Sequence, residues 1–461
     1  MSIRKLLKLP NGSFLKYCAA FVLLLIPLYP KFPLLKVSEI FVSIRLEDIV
    51  IALVSTLLLI ELLPRMKTFF SNKINSTIIL YLTVGLVSLI SSIFLTKTVI
   101  PHVALLHWLR RVEYFIPFFL GYCVIRNNRG SINFFFKLIL IIIFIAFVYG
   151  IGQRYFGWPI VITQNEEYSK GVALRWIQGS HINSTFAGHY DLASFLVLVL
   201  PIVVTSVFLL KEYKYKILAV AISFSGLWLL VNTASRISLV SYLIAVSISL
   251  LLVKKSRYIL VVVVISILFI GFSSNLFERY KSIFDVSLRK IRQTSQTSVF
   301  VKYAYAEADG VNFRRESVSP TPTPIPVIED RSSNIRLNVE WPRALRAFLK
   351  NPILGTGYSS ITLATDNDYL RLLGEVGLFG MISFLLIILR LVIVYIYSLS
   401  KLFDMKSIEL IFIAGMAGSL VGVLLNAVFI DVFEASKFAI SFWLLTGFSM
   451  GLIKYENIGN K

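Results

Sequence analysis

The stretch TDNDYLRLLGEVGLFG, beginning at Thr365, places Asp366, Asn367 and Asp368 side by side and adds Arg371 and Glu375 within two further turns. A mostly apolar run follows, so five polar side chains gather at the head of what should be a membrane helix. Charge at such a boundary is tolerated but needs a reason. A carboxylate placed there can take the proton of an attacking hydroxyl. Three arginines stand in similar settings: Arg175 in VALRWIQGSHINSTFAGHYDLASF, Arg236 in NTASRISLV and Arg336 in NIRLNVEWPRALRAFLK. Guanidinium is planar and multidentate, which suits it to phosphate oxygens. Four separated segments thus carry a phosphate-gripping and hydroxyl-activating set, provided that they meet.

Each residue also has a plainer reading. Asp366 and Asp368 precede a helix and can cap its exposed amides. Asn367 can orient the turn, and Tyr369 suits an interfacial anchor. Arg371 and Glu375 are four apart and can form a helical ion pair. Arg236 can snorkel to water, although it is the only basic residue in a turn of very small residues. Arg175 and Arg336 can be solvated loop charges. His181 and His189 lie near the same set, either as satisfied loop polars or as alternative bases. Gly355 and Gly357 lack the strand–loop–helix context of a phosphate cradle, so a tight turn is their expected role.

The elements that would position these groups follow from composition. The 461 residues are 57% hydrophobic with mean hydropathy +0.78, far more apolar than a soluble domain. Long uncharged runs recur along the whole chain without strand-like alternation, which excludes a barrel and implies an all-α polytopic membrane protein. Helices are expected at roughly 17–30, 46–63, 76–96, 102–125, 132–152, 189–210, 217–233, 237–253, 258–273, 375–398, 407–428 and 437–453. The first run leads into PLYPKFP with no small-residue cleavage site, so it reads as a signal anchor. Two cysteines, Cys18 and Cys123, and four histidines without paired spacing imply neither a disulfide framework nor a metal site.

Direction follows from the basic turns. The N-terminus, PRMKTFFSNK, RNNRG, KEYKYK, KKSR, the Lys401/Lys406 turn and the C-terminal tail all fall on one side of the twelve spans. They hold roughly 20 of the 46 basic residues against about 4 in the short opposite loops, so this side is expected to be cytoplasmic. Much of the net charge of +21 is therefore topological, and nucleic acid is not an expected partner. The organisation expected is N-terminal helices over 1–152, a first outer loop at 153–188, central helices over 189–273, a long outer loop at 274–374 and C-terminal helices over 375–461. The long loop carries a Pro/Thr-rich insertion at 317–333. After it, Val339, Leu345 and Phe348, interleaved with Arg343 and Arg346, predict a short amphipathic helix at the membrane surface.

Charges inside the fourth expected helix, Arg110, Arg111 and Glu113, need partners. Arg110 and Glu113 can pair at (i, i+3), locking helices together, or Arg110 can reach a lipid phosphate. Glu47 and Asp48 fit boundary caps, since no Asp-x-Asp is present and the loop is short.

The chain resembles the O-antigen ligase/O-antigen polymerase family of bacterial envelope glycosyltransferases. The resemblance rests on NTASRISLVSYLIAVSISLLL, on RLNVEWPRALRAFLKNPILGTGYSS with its Arg…Trp…Asn-Pro…Gly-x-Gly, and on DNDYLRLLGEVGLFG, similar to a His/Asp-Asn-x-Tyr-Leu…Glu-x-Gly-x-x-Gly signature. RWIQGSHINSTFAGHYDLASFL is similar to the family's approach to the helix after the first large loop, and the whole match runs over about 170–395. It implies a GT-C-like integral membrane enzyme with no cofactor and no metal ion. Such an enzyme moves glycan from an undecaprenyl-pyrophosphate donor to an acceptor glycan or lipid-linked repeat unit, among membrane lipids. It would lie in the bacterial cytoplasmic (inner) membrane with cytoplasmic termini and an extracytoplasmic site. By the same resemblance Arg175 and Arg236 hold the donor pyrophosphate, Arg336 steadies donor or loop, and Asp366 stands where the ligases carry a histidine. That departure favours a polymerase over a ligase proper. A transporter or flippase of lipid-linked oligosaccharide is the rival from another class, though the matching halves and broken midplane helices of a carrier are missing from the sequence.

Overall fold

The computed structural model describes residues 12–30, 33–36, 43–62, 72–160, 176–177, 180–273, 335–361 and 364–453. Hydrophobic runs with good helix formers give helices wherever the described chain is continuous. The N-terminal set is α1 (Gly12–Leu28), α2 (Leu46–Leu62), α3 (Lys73–Ser91), α4 (Pro101–Asn127) and α5 (Ser131–Tyr155). The central set is α6 (His189–Leu209), α7 (Tyr213–Asn232), α8 (Arg236–Leu252) and α9 (Ile259–Ile270). Then come the short α10 (Trp341–Lys350) and the last three, α11 (Asp368–Ser398), α12 (Ser407–Asn426) and α13 (Ser436–Ile453). All except α10 stand at the twelve expected places. A small antiparallel hairpin, Pro33–Lys36 with Ser43–Arg45, links α1 to α2. Among the described residues seven helices are long and apolar enough to cross a bilayer: α3 with its π-helical extension to Thr96, α5, α6, α7, α11, α12 and α13. The chain is a multi-pass membrane protein.

A helix apolar on every side belongs in the interior rather than against lipid. α6 meets that description, and its residues from Asp191 to Ser206 are buried without interruption. α13 is buried over almost its whole length. Around these two, α12 brings Gly418 and Gly422 against the backbone of α8, a small-residue seam that lets helices approach closely. Phe115, Phe118 and Phe442 gather round Trp443, with Phe115 centred 4.3 Å from it, and Phe135 stacks on Phe448 at 4.2 Å.

Helix ends segregate into two ends of the bundle. At one, Thr185 donates to the Pro27 carbonyl at the end of α1, Ser436 at the head of α13 donates to Glu47, and Gln153 near the end of α5 donates to Ser184. Ile182 likewise donates to Asn232 at the end of α7, and Arg154 donates to the Phe272 carbonyl beyond α9. At the other end, Lys16 sits 4.4 Å from the Phe134 ring, Lys254 sits 4.4 Å from the Phe403 ring, and Arg129 pairs with Glu409 at 2.8 Å. The basic turns that fall among the described residues thus lie together, opposite the end that carries Asp366; most of the N-terminus, PRMKTFFSNK and the C-terminal tail lie outside the described residues.

α11 differs from its expected start. It begins at Asp368 rather than 375, because Asn367 caps it by accepting from the Leu370 amide at 3.0 Å. The apolar pattern starts later because the helix breaks at Gly377, where φ 75 and ψ −168 are open only to glycine. The segment after α10 fills the break. Thr356 and Gly357 donate to the Gly374 and Glu375 carbonyls at 2.9 and 2.8 Å, and Leu378 and Phe379 donate to Pro352 and Ile353. A Cβ on Gly377 would lie 2.5 Å from the Ile353 carbonyl oxygen. Ser88 of α3 adds bonds to the Leu354 and Glu375 carbonyls. Irregular backbone at membrane depth is permitted here because protein, not lipid, supplies its partners.

Candidate functional site

Two turns meet at the non-basic end, residues 364–367 before α11 and residues 427–435 between α12 and α13. Asp366 adopts φ 50, a left-handed conformation that Asp tolerates better than most residues. Amides on either side of it are held by one side chain: Asp431 accepts from Thr365 and from Asn367, each at 2.9 Å. In return Asp368, buried, accepts from the Val432 and Phe433 amides at 2.8 and 3.1 Å. The Asp368 amide donates to the Ala427 carbonyl at 3.0 Å. Each turn therefore satisfies the other's backbone with a carboxylate, the strong form of such a bond.

Beneath these turns lies a buried charged network. Arg371 reaches Asp431 at 3.1 Å, Glu434 at 3.5 Å and Glu375 at 3.6 Å, and donates to the Ile361 carbonyl. Arg111 of α4 pairs with Glu434 and donates to the Phe433 carbonyl at 3.0 Å. Tyr81, Arg111, Tyr358, Asp368, Glu375 and Glu434 border a cavity of about 30 Å³, room for a water or two rather than a sugar. Burying charge is expensive unless each group is paired, which this arrangement largely achieves.

Above the turns stands Arg336, in a π-helical turn (Arg336–Glu340) that runs into α10. Its Nη2 lies 2.7 Å and its Nε 2.9 Å from Asp366 Oδ2, and Nη2 also reaches the Tyr190 hydroxyl at 3.4 Å. Burial pushes the Asp366 carboxyl above its ordinary value, the Arg336 guanidinium pulls it back down, and the Asp431 charge adds to the rise. Glu340 is pushed up to about 7, first by burial and then by the Asp366 charge, with Arg336 opposing. Its Oε2 is buried without a hydrogen bond. The expected amphipathic helix is present as α10: Ala344 is buried while Leu345 and Leu349 are exposed, and Trp341 packs 6.1 Å from Phe429.

Arg236 opens α8, whose cap Ser235 accepts from the Ser238 amide. Ser238 donates to Asn426 Oδ1 at 3.0 Å, and Asn426 donates to Ser194 of α6 at 2.9 Å. Asn426 adjoins Ala427, the acceptor of the Asp368 amide, so the Arg236 turn, the head of α6 and the Asp366 turn are tied through buried polar side chains. His189 stands at the first position of α6, stacked 4.2 Å from His181 and with its ring centred 4.1 Å from the tilted Tyr190 ring.

The structure therefore brings Arg236, Arg336, Asp366, Asn367, Asp368, Tyr369, Glu375, His181 and His189 to one end of the bundle. Arg175 lies outside the described residues, as do most of the first outer loop and the Pro/Thr-rich insertion. Tyr369 is tied to protein, donating to the Leu424 carbonyl at 2.8 Å. Arg371 and Glu375 form the expected pair, but as one edge of a larger network. Arg110 is placed differently from its neighbour: it pairs with Asp48 at 3.6 Å, and Arg111 turns to the Asp368 network. Asp431, Glu434, Glu340 and Tyr190 were not singled out in the sequence. The signal for the first two was there: FIDVFEAS puts two acids in the short turn before the last helix, on the same side as Asp366.

Comparison with known families bears on this region directly. Residues 218–385 match the O-antigen ligase family model, a span that contains Arg236, Arg336, Asp366 and the break in α11. This segment is similar to the O-antigen ligase family. No curated protein matches the chain. The resemblance read from NTASRISLV, NPILGTG and DNDYLRLLGEVGLFG is thus independently supported, and within the matched segment the last two are one interlocked unit. Asp431 and Glu434 lie beyond the matched span, yet they hold its turn.

Proposed function

We propose that the chain is a membrane glycosyltransferase of the O-antigen ligase/polymerase type, acting on a glycan carried by undecaprenyl pyrophosphate, and that it is a polymerase rather than a ligase. All twelve long helices cross the membrane in a GT-C-like arrangement, the termini and basic end face the cytoplasm, and the Asp366 end faces outward. In this reading an acceptor hydroxyl oxygen attacks the anomeric carbon of the donor sugar. The carbon–oxygen bond to pyrophosphate breaks, lipid pyrophosphate departs with the electron pair, and the hydroxyl proton passes to Asp366. Pyrophosphate is already a good leaving group, so the protein chiefly positions the acceptor and stabilises charge on the departing phosphate. Arg236 and Arg175 take the phosphate role without a metal ion.

The observation that carries the reading is Asp366 itself. It lies within the matched segment, in a left-handed turn, beside Arg336, with burial raising its proton affinity toward that of a useful base. Arg336 is committed to Asp366, which supports a part in tuning that base more than in gripping the donor. The polymerase preference rests on Asp366 standing where the ligases carry histidine.

The test is transfer in proteoliposomes that contain a lipid-pyrophosphate oligosaccharide. Asp366→Ala is expected to slow transfer by about 10²–10⁴-fold, the range for loss of a general base. Arg236→Ala should cost about 2–4 kcal/mol of transition-state stabilisation. Wild-type rates from either protein, inserted normally, would remove its assigned role. Product size decides the acceptor: a ladder of repeats marks a polymerase, and single transfer to an unrelated acceptor marks a ligase.

A further inference from the structure

Asp431 has no part in the transfer scheme, yet its two oxygens straddle the residue that does. Oδ1 accepts from the Asn367 amide, and Oδ2 accepts from the Thr365 amide and pairs with Arg371. Asp366 lies between those amides at φ 50, a conformation that persists in a residue with a Cβ only where the surroundings over-determine it. The geometry points to Asp431 as a positioning residue for Asp366, with Asp368 as the reciprocal half of a carboxylate exchange between the two turns. The turn before α13 thereby sets where the proton acceptor of the matched segment stands. This inference rests on the reading of Asp366 as the base.

The chemistry requires a carboxylate at 431. Two amides 64 and 66 residues away in sequence need two acceptor oxygens at once, and an amide side chain offers only one. Asp368 accepts in turn from Val432 and Phe433, next to Asp431, so each carboxylate fixes the segment that carries the other. Arg371 supplies the positive charge that makes Asp431 tolerable where it is half-buried. Among the described residues, the charged groups that face Asp366 are Arg336 and Glu340 from the turn before α10, and Asp431 from the turn before α13. Arg336 lowers its proton affinity, and Asp431 raises it.

Asp431→Asn separates positioning from simple loss of structure. In the proteoliposome assay its kcat is expected to fall by about 10- to 100-fold, the scale of a base misplaced by about 1 Å, while KM stays within about threefold. With the 431 charge gone, the acid limb of kcat against pH should move to lower pH. Asp431→Glu, which restores the charge with a longer reach, should recover part of kcat. Unchanged kcat in Asp431→Asn, a loss confined to KM, or an acid limb that does not move would each overturn the inference. If Asp431→Asn does not accumulate in membranes, Asp431→Glu carries the test, and wild-type kcat in that protein overturns it. Failure of the base reading shows separately, as Asp366→Ala retaining the wild-type rate.

Discussion

Among the described residues, the two ends of the bundle use their charged side chains in opposite ways. At the basic end, Lys16 lies over the Tyr17 and Phe134 rings, Lys137 and Lys254 each lie over one aromatic ring, and Arg129 meets Glu409 with a third of its own side chain exposed. Lys137 and Lys254 are exposed, and each of these cations answers to one or two local neighbours. At the Asp366 end, Arg371 alone serves Asp431, Glu434 and Glu375, and Arg111 shares Glu434 with it. Exposed charge of a single sign is what topology requires, whereas buried charge of both signs survives only where geometry is fixed. The contrast separates charges that each meet a few local neighbours from charges that hold one another in a fixed network.

That contrast can be broken by substitution. The largest effect on stability is expected from Arg111→Ala, which removes one of the two guanidinium partners of Glu434 and leaves the buried Phe433 carbonyl without its donor. About 3–5 kcal/mol should be lost, read as a fall in the thermal unfolding midpoint of the detergent-solubilised protein. An intermediate effect is expected from Arg336→Gln, measured as activity against pH. A general base works only when deprotonated, so rate is lost as pH falls through the proton affinity of Asp366. Burial and Asp431 hold that value above the ordinary one while Arg336 restrains it, so removing Arg336 should move the acid limb to higher pH. Asp431→Asn should move it the other way, and shifts of the same sign would discredit the electrostatic account of both. The smallest effect is expected at the opposite end. Lys254→Gln removes one cation–π contact, worth about 0.5–1 kcal/mol, and should leave transfer unchanged. A large loss of activity there would erase the distinction between the ends.

Much of the fold was legible because hydrophobic length is a local property. Each apolar run became a helix, and the amphipathic spacing of Leu345 with Arg343 and Arg346 became α10. The head of α11 was read seven residues late, since Asp368, Arg371 and Glu375 fill its first two turns and the break at Gly377 sets them apart from the apolar run. Gly355 and Gly357 read as a tight turn, and they form one. What their spacing did not reveal is that the turn docks into the break at Gly377, because hydrogen bonds between residues some twenty positions apart leave no periodic trace.

The candidate site was legible in part for the same reason. Asp366 and Arg236 announced themselves as charges at expected helix ends, and Arg336 as a charge in the long outer loop. Asp431 and Glu434 show the same signature in FIDVFEAS, but they lie outside the resemblance and gained weight only from their partners. Arg110 and Arg111 are chemically identical neighbours, and only the direction in which each side chain leaves α4 separates them.

By itself the sequence determined the membrane class, the places of the helices and which turns are basic, because burial in lipid and the bias of positive charge act residue by residue along the chain. Tertiary structure decided which carboxylate faces which guanidinium, how a broken helix is completed and why Asp366 holds an uncommon backbone conformation. Those outcomes depend on contacts between segments far apart in the chain, where distance and orientation rather than composition set the energy.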